Sequence, residues 1–274
     1  SECLVGSEMC IRDSISGYVN VSRNENRITE LPGNMNQENY EAKNGTYAAR
    51  VIVGQPIGSF YGYRYLGVYQ NTDATYARDA EGQVMNDANG KPIVMKNLTA
   101  TCQPGDAKYE DVNHDGVINQ YDIVYLGNSN PVVTGGAGLT VKWKQLSLSA
   151  FFHGRFGQSI VNSTRMNNEA MYNASNQSTA VLRRWKNEGD ETDIPRALFN
   201  QGYNYLGSDR FVEDASFVRL KTLTLNYAFP KKICNRFGIN SLSIFATGYN
   251  LFTWTNYTLS LIHISEPTRH SLIS

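Results

Sequence analysis

The feature that most constrains this 274-residue chain is a two-residue alternation of apolar and polar side chains, recurring through its second half. Side chains on a β-strand point to opposite faces in turn, so such alternation marks a strand with one apolar face. In residues 139–144, Leu139, Val141 and Trp143 fall on one face and Thr140, Lys142 and Lys144 on the other. In residues 146–152, Leu146, Leu148, Ala150 and Phe152 share a face opposed mostly by serines. Residues 222–229 set Leu223, Leu225, Tyr227 and Phe229 against Thr222, Thr224, Asn226 and Ala228. Leu242, Ile244 and Ala246 oppose Ser243, Phe245 and Thr247. A further segment, 57–69, is unusually aromatic. Gly135, Gly136, Gly138, Gly154 and Gly157 read as strand ends. The pattern is all-β with antiparallel strands, and its apolar face suits a sandwich core or a lipid-facing wall equally.

Connection lengths choose between the two. The links at 144–146 and 230–240 are short, whereas 70–131 and 154–215 are long and polar. Compact soluble domains seldom carry structureless loops beyond ~15 residues. Outer-membrane barrels alternate short periplasmic turns with long extracellular loops. The expectation is part of a large, incomplete membrane barrel with strands at 134–144, 146–153, 216–229 and 242–253. Leu139, Val141, Trp143, Leu223, Leu225, Leu242 and Ile244 would face lipid, with Lys142 and Thr224 toward the lumen. Charged residues make up 18% of the chain, below the ~25% usual for soluble domains. Net charge is +0 and no basic tract points to nucleic acid. No apolar run approaches the ~18 residues of a membrane helix.

The two ends call for separate treatment. Residues 4–14 read LVGSEMCIRDS and residues 259–269 read LSLIHISEPTR. Both are in-frame translations of the two strands of one oligonucleotide, which resembles a transposon-end adapter used in sequencing libraries. Residues 1–14 and 259–274 are therefore read as adapter-derived, packing against nothing, and residues 15–258 as the authentic portion. That portion keeps Cys102, Cys234, His114 and His153. No Ser/His/Asp or Cys/His catalytic set and no zinc spacing can be built from these, so no enzymatic activity is expected. The long stretches put Cys102 outside the cell and Cys234 in the periplasm, beyond the ~5.5 Å Cα separation of a disulfide.

Several blocks then resemble one family. GQPIGSFYGYRYLGVYQ (54–70), PGDAKYEDVNHDGVINQYD (104–122), GNSNPV (127–132), DRFVEDASFVRLKTLTLNYAFP (209–230) and YNLFTWTNYT (249–258) are similar, in order, to motifs of the SusC/RagA-type TonB-dependent transporters. The departures are His114 and Ala215 where glycine is usual. The resemblance implies the C-terminal portion of a barrel of about 22 strands in the cell outer membrane. It implies import of nutrients, most often oligosaccharides and in some members peptides, with a SusD-like lipoprotein as partner. TonB would act through an N-terminal plug region absent from this sequence. Two rivals stand beside it. One is a secreted calcium-binding adhesin or glycan-binding module; the other is a siderophore-type TonB-dependent receptor.

One constellation carries ligand chemistry. Asp111, Asn113, Asp115, Val117 (through its carbonyl), Asn119 and Asp122 occupy loop positions one, three, five, seven, nine and twelve of a calcium-loop pattern, with Gly116 at the sharp turn. The alternative is an Asx-rich turn closed by its own side chains. Calcium is the one cofactor such a loop suggests, and its role would be to stiffen. Trp143, Phe151, Phe152, Tyr205, Tyr249, Trp254 and Tyr257 could stack on sugars. Strand aromatics in a barrel more often form the interfacial girdle, which leaves the loop residues Tyr203 and Tyr205 as the substrate-binding candidates.

Overall fold

The computed structural model describes residues 13–31, 45–48 and 50–258. They divide into two compact units, one from 13–24, 131–157 and 215–258, the other from 25–130 and 158–214.

The first unit is a single sheet of five long strands: β1 (Asp13–Arg23), β2 (Val133–Trp143), β3 (Leu146–Phe156), β4 (Phe217–Ala228) and β5 (Ser243–Thr255). Each pairs antiparallel with its neighbour in that order. The four expected strands are present with ends moved by a few residues, and β3 runs on to Phe156. β1 is an addition. Gly17 leaves a gap in its apolar face of Ile15, Val19 and Val21, and Tyr18 puts a ring among its serines. Its first two residues, Asp13 and Ser14, pair with Trp143 and Lys142. The expectation that 1–14 packs against nothing thus fails at these two, because a bare strand edge offers ladder groups to any extended chain. Residues 1–12 and 259–274 lie outside the described residues.

The register assigns the faces. Ile15, Val141, Leu148, Leu225 and Ala246 form one cross-strand row, and Leu139, Ala150 and Leu223 another on the same side. Thr140, Ser149, Thr224 and Thr247 line up on the opposite side, where Thr140 bonds Ser149 and Thr224 bonds Thr247, each at 3.1 Å. The apolar side is uncovered: Leu139, Trp143, Leu225 and Ile244 are all exposed, as is Leu242 just before β5. A closed sandwich would bury them, so the sandwich reading fails. An uncovered apolar side opposed by a polar one is what the lipid-facing wall of an outer-membrane barrel presents.

Aromatic rings bound that wall at both ends. Trp143, Leu146, Tyr227 and Ile244 make one terminal row. Toward the other end lie Phe152, Phe252 and Trp254, with Trp254 6.4 Å from Phe152 and 6.2 Å from Phe252 between ring centroids. Rings at both margins of an aliphatic band match an interfacial girdle.

The glycines depart from expectation. Gly135, Gly136 and Gly138 lie inside β2, and Gly154 inside β3. A Cβ at Gly138 would overlap the Tyr18 ring, and one at Gly136 would come within 3.1 Å of the Phe151 ring. Here glycine lets large neighbours lie across the strand.

β1 and β3 hand the chain to its long stretches at the end of the sheet where Arg23, Val133 and Phe156 are partners. Those stretches are not structureless. They build the second unit from short ladders: Ser59–Gly62 with Val124–Asn128, Tyr65–Val68 with Ala107–Tyr109, and Ser159–Val161 with Val212–Asp214. The aromatic 57–69 segment is core here rather than membrane strand, with Tyr61, Tyr63 and Tyr69 buried against Met95, Tyr109 and Ile118. Among the described residues no helix is long and apolar enough to cross a membrane.

Candidate functional site

The second unit contains a buried charge network centred on the 209–214 motif. Arg210 and Glu169 are 5% and 6% exposed and meet at 2.8 Å. Glu169 also accepts from Arg165 Nε at 3.0 Å, and Arg165 reaches Glu213 at 3.7 Å. Asn162 accepts from the Arg165 amide and so caps the helix Ser163–Glu169, while its Nδ2 donates to Glu213 at 3.0 Å. The Arg210 guanidinium lies 4.9 Å from the Phe211 ring centroid and 5.3 Å from that of Tyr65. Asp209 accepts from the Tyr65 amide at 2.7 Å, and burial raises its carboxyl above the ordinary range. Two arginines balance two glutamates, and every carboxylate is engaged. Such a set holds loops together rather than performing chemistry.

A second buried pair works the same way. Asp106 is fully buried and takes Arg196 Nε at 2.7 Å, Asn204 Nδ2 at 3.3 Å and the Gln103 amide at 2.8 Å. It ties residues 103–106 to 196–204. Sequence reading missed both networks, since nothing in residue spacing reports that Arg196 and Asp106 will meet.

The Asp111–Asp122 loop is closed by its own backbone. Asp111 accepts from the Asp115 and Gly116 amides at 3.2 and 2.8 Å, and Asp115 from the Val117 amide at 2.8 Å. Asn113 Oδ1 accepts from the Asp115 amide at 3.3 Å, and Asn119 Oδ1 from the Tyr121 amide at 2.8 Å. Asp122 is fully buried and takes the Val112 and Asn119 amides at 2.8 Å each. Burial, the larger influence, raises its carboxyl above the usual range against those two amides. Gly116 takes φ +81°, as the sharp turn requires. Among the described residues no group of three or more His, Cys, Asp or Glu side chains is placed to hold a metal ion. What draws the three carboxylates inward is amide donors.

Tyr203 and Tyr205 sit together on the short turn Gly202–Tyr205, both partly buried. Tyr205 packs against Tyr172 at 5.4 Å, and the Tyr203 hydroxyl donates to Gln201 at 3.3 Å. Of the strand aromatics, Trp143, Phe152 and Trp254 are on the lipid face. Phe151 and Tyr249 fall on the opposite face, so the girdle does not account for them. Cys102 and Cys234 are buried free thiols. Burial, above all, pushes Cys102 up to about 12, which leaves it an unreactive thiol.

No protein-family model matches the chain. Two TonB-dependent receptors of Formosa agariphila, P3 and P26, are 28% and 30% identical to it over 87% of its length. The solved RagAB peptide transporter superposes with a TM-score of 0.61 at 25% identity over 90% of this chain. By sequence and fold the chain is similar to TonB-dependent receptors of the SusC/RagA type. It spans 22% of those two receptors and 24% of the RagAB chain. The RagAB peptide importer in its closed-closed state has the same fold, with a TM-score of 0.60 at 24% identity. That assignment accounts for the exposed apolar wall: in an outer-membrane barrel it faces lipid.

Proposed function

We propose that the protein to which this chain belongs imports nutrients, chiefly oligosaccharides, across the outer membrane with a SusD-like lipoprotein at its mouth and TonB as its energy source. The observation that carries this is the five-stranded wall, apolar on one side and polar on the other, in a chain similar over 87% of its length to TonB-dependent receptors. The second unit then forms extracellular loop structure, stiffened by its own ion pairs. These contacts support transport rather than an enzyme, because each buried acid and base is spent on its neighbour. The test is uptake of labelled oligosaccharides by cells carrying the whole receptor, with and without TonB. Uptake that needs TonB, and co-purification of a lipoprotein, supports the reading; uptake of peptides alone would transfer it to the cargo that the RagAB structures are named for.

We further propose that the Asp111–Asp122 loop takes calcium. Its support is that backbone amides hold the side chains of Asp111, Asn113 and Asp115 at loop positions one, three and five. The ion would stiffen the loop and take no part in any reaction. Calorimetric titration of the whole receptor should give a heat that Asp115→Ala abolishes. Equal heats from both proteins, or none from either, would leave a turn closed by amides alone.

A further inference from the structure

The polar face of the sheet is uneven, and its unevenness has a chemical direction. Tyr18, Gly138, Phe151, Thr222 and Tyr249 form one cross-strand row on that face. The Tyr18 ring leans over Gly138 and the Phe151 ring over Gly136, and the two stack, 6.4 Å between centroids with 24° between planes. The next row is Asn20, Gly136, His153, Arg219 and Thr253, and beyond it Arg155 stands beside Thr134 and Phe217. A cleft of about 210 Å³ opens beside Gly135 and Gly136, lined by Asn20, Ser22, Thr134, Phe151 and His153.

The charge around that cleft has one sign. Across β1 to β5 the only acid is Asp13, at the opposite end of β1, while Arg155, Arg219 and Lys221 cluster near the cleft. All three lie close enough for their charges to act on the His153 ring. Arg219 stacks on Phe217 at 5.1 Å and donates Nε to Thr253 at 3.0 Å, which fixes its plane and leaves other N–H groups to offer. Among the described residues neither Arg155 nor Arg219 forms an ion pair. The backbone groups of these inner strands are spent in ladders, so recognition falls to side chains, and those side chains are rich in donors.

We propose that this patch of lumen wall is a binding subsite for an anionic oligosaccharide. Tyr18 and Phe151 carry the apolar face of a sugar ring, Asn20 and His153 bond its hydroxyls, and Arg155 and Arg219 pair with its carboxylate or sulfate. Aromatic rings that meet the axial C–H face of a pyranose, beside guanidinium forks that meet its charged group, suit an anionic sugar. A peptide, by contrast, would look for free backbone partners that these paired strands do not offer.

The inference rests on the oligosaccharide reading above, and the two can fail separately. The probes are tetragalacturonate, its neutral methyl ester and a sulfated tetrasaccharide of equal length, bound to the whole receptor at two salt concentrations. Arg155→Gln with Arg219→Gln should weaken both anionic probes about tenfold or more and flatten their salt dependence. The methyl ester should be unmoved. Arg155→Lys with Arg219→Lys should retain the salt dependence, which guards against a folding defect. Phe151→Ala should weaken all three probes. Anionic binding indifferent to the glutamine pair overturns the subsite, as does an equal loss for the methyl ester. An acidic tetrapeptide that binds as tightly, with the same loss, overturns the sugar assignment. Failure of the import reading looks different: no TonB-dependent uptake of any saccharide, charged or neutral.

Discussion

The two units solve the same problem with opposite means. The five-stranded wall keeps its large apolar side chains on the outside, and its Arg155 and Arg219 form no ion pair among the described residues. The loop-built unit buries its tyrosines together with Arg210–Glu169 and Arg196–Asp106. A wall in lipid needs only saturated backbone bonds and an apolar exterior, because the hydrocarbon supplies the rest. Loops in water have little regular ladder, so charge-assisted bonds and caps must hold segments distant in sequence. Stability that comes from solvent on one side and from specific pairs on the other should respond differently to substitution.

The largest effect should come from breaking the buried pair. Arg210→Met in the whole receptor leaves Glu169 with a charge paired only to Arg165, at a cost of about 3–5 kcal/mol. Limited proteolysis should then cut the loops while the barrel strands stay protected. Arg210→Met combined with Glu169→Leu should recover most of the loss. Equal sensitivity of strands and loops would dissolve the distinction between the units.

On the wall the same logic predicts face dependence. Leu148 sits in the lipid row on the central strand, and Ser149 points to the lumen beside Thr140. Leu148→Arg should cost about 2–4 kcal/mol near mid-membrane, and Ser149→Arg close to none. Refolding into detergent micelles or bilayers with denaturant titration reads the difference. Similar costs at both positions would mean the faces are misassigned.

A smaller effect concerns the glycine floor. Gly138→Val should cost about 1–3 kcal/mol through overlap with the Tyr18 ring. Tyr18→Ala should relieve it, giving a clear coupling in a double-mutant cycle. Additive costs would show that the ring does not lie where the glycine permits.

The slightest effect is a pH dependence in the Asp111–Asp122 loop. Burial raises Asp122 in the folded loop, so its contribution is fully present below the ordinary carboxylate value and fades as pH rises through the raised one. Hydrogen exchange of the loop amides should be slower in acid than at neutral pH, once corrected for intrinsic rates. Asp122→Asn should remove that difference, and calcium should restore protection at neutral pH. A loop whose protection grows with pH would reverse the sign of this account.

Much of the wall was legible in the chain. The alternation through 139–152 and 222–247 set the strands and their parity, because one face must meet hydrocarbon and the other water. The alternating short and long links indicated a barrel, and the 209–230 block indicated its family. β1 was not legible, since Gly17 and Tyr18 blur its pattern and its partner β2 follows more than a hundred residues later. The adapter-like ends hid Asp13 and Ser14, which the edge of β2 takes up all the same.

What only the tertiary structure decided is where side chains far apart in sequence meet. Local alternation is a property of successive residues, so a strand declares its face by itself. The pairing of Asp106 with Arg196, or of Arg210 with Glu169, depends on how two long excursions fold against each other, and no spacing encodes that. The 57–69 segment stands out in sequence only as an aromatic run, and the fold buries Tyr61, Tyr63 and Tyr69 at the centre of the loop unit. Phe151 and Tyr249 read as girdle residues, yet they fall in one cross-strand row with Tyr18 on the polar face. The bulge at Lys221 reverses the parity of β4, so Leu220 and Val218 rather than Lys221 and Arg219 join the side of Phe152, Phe252 and Trp254.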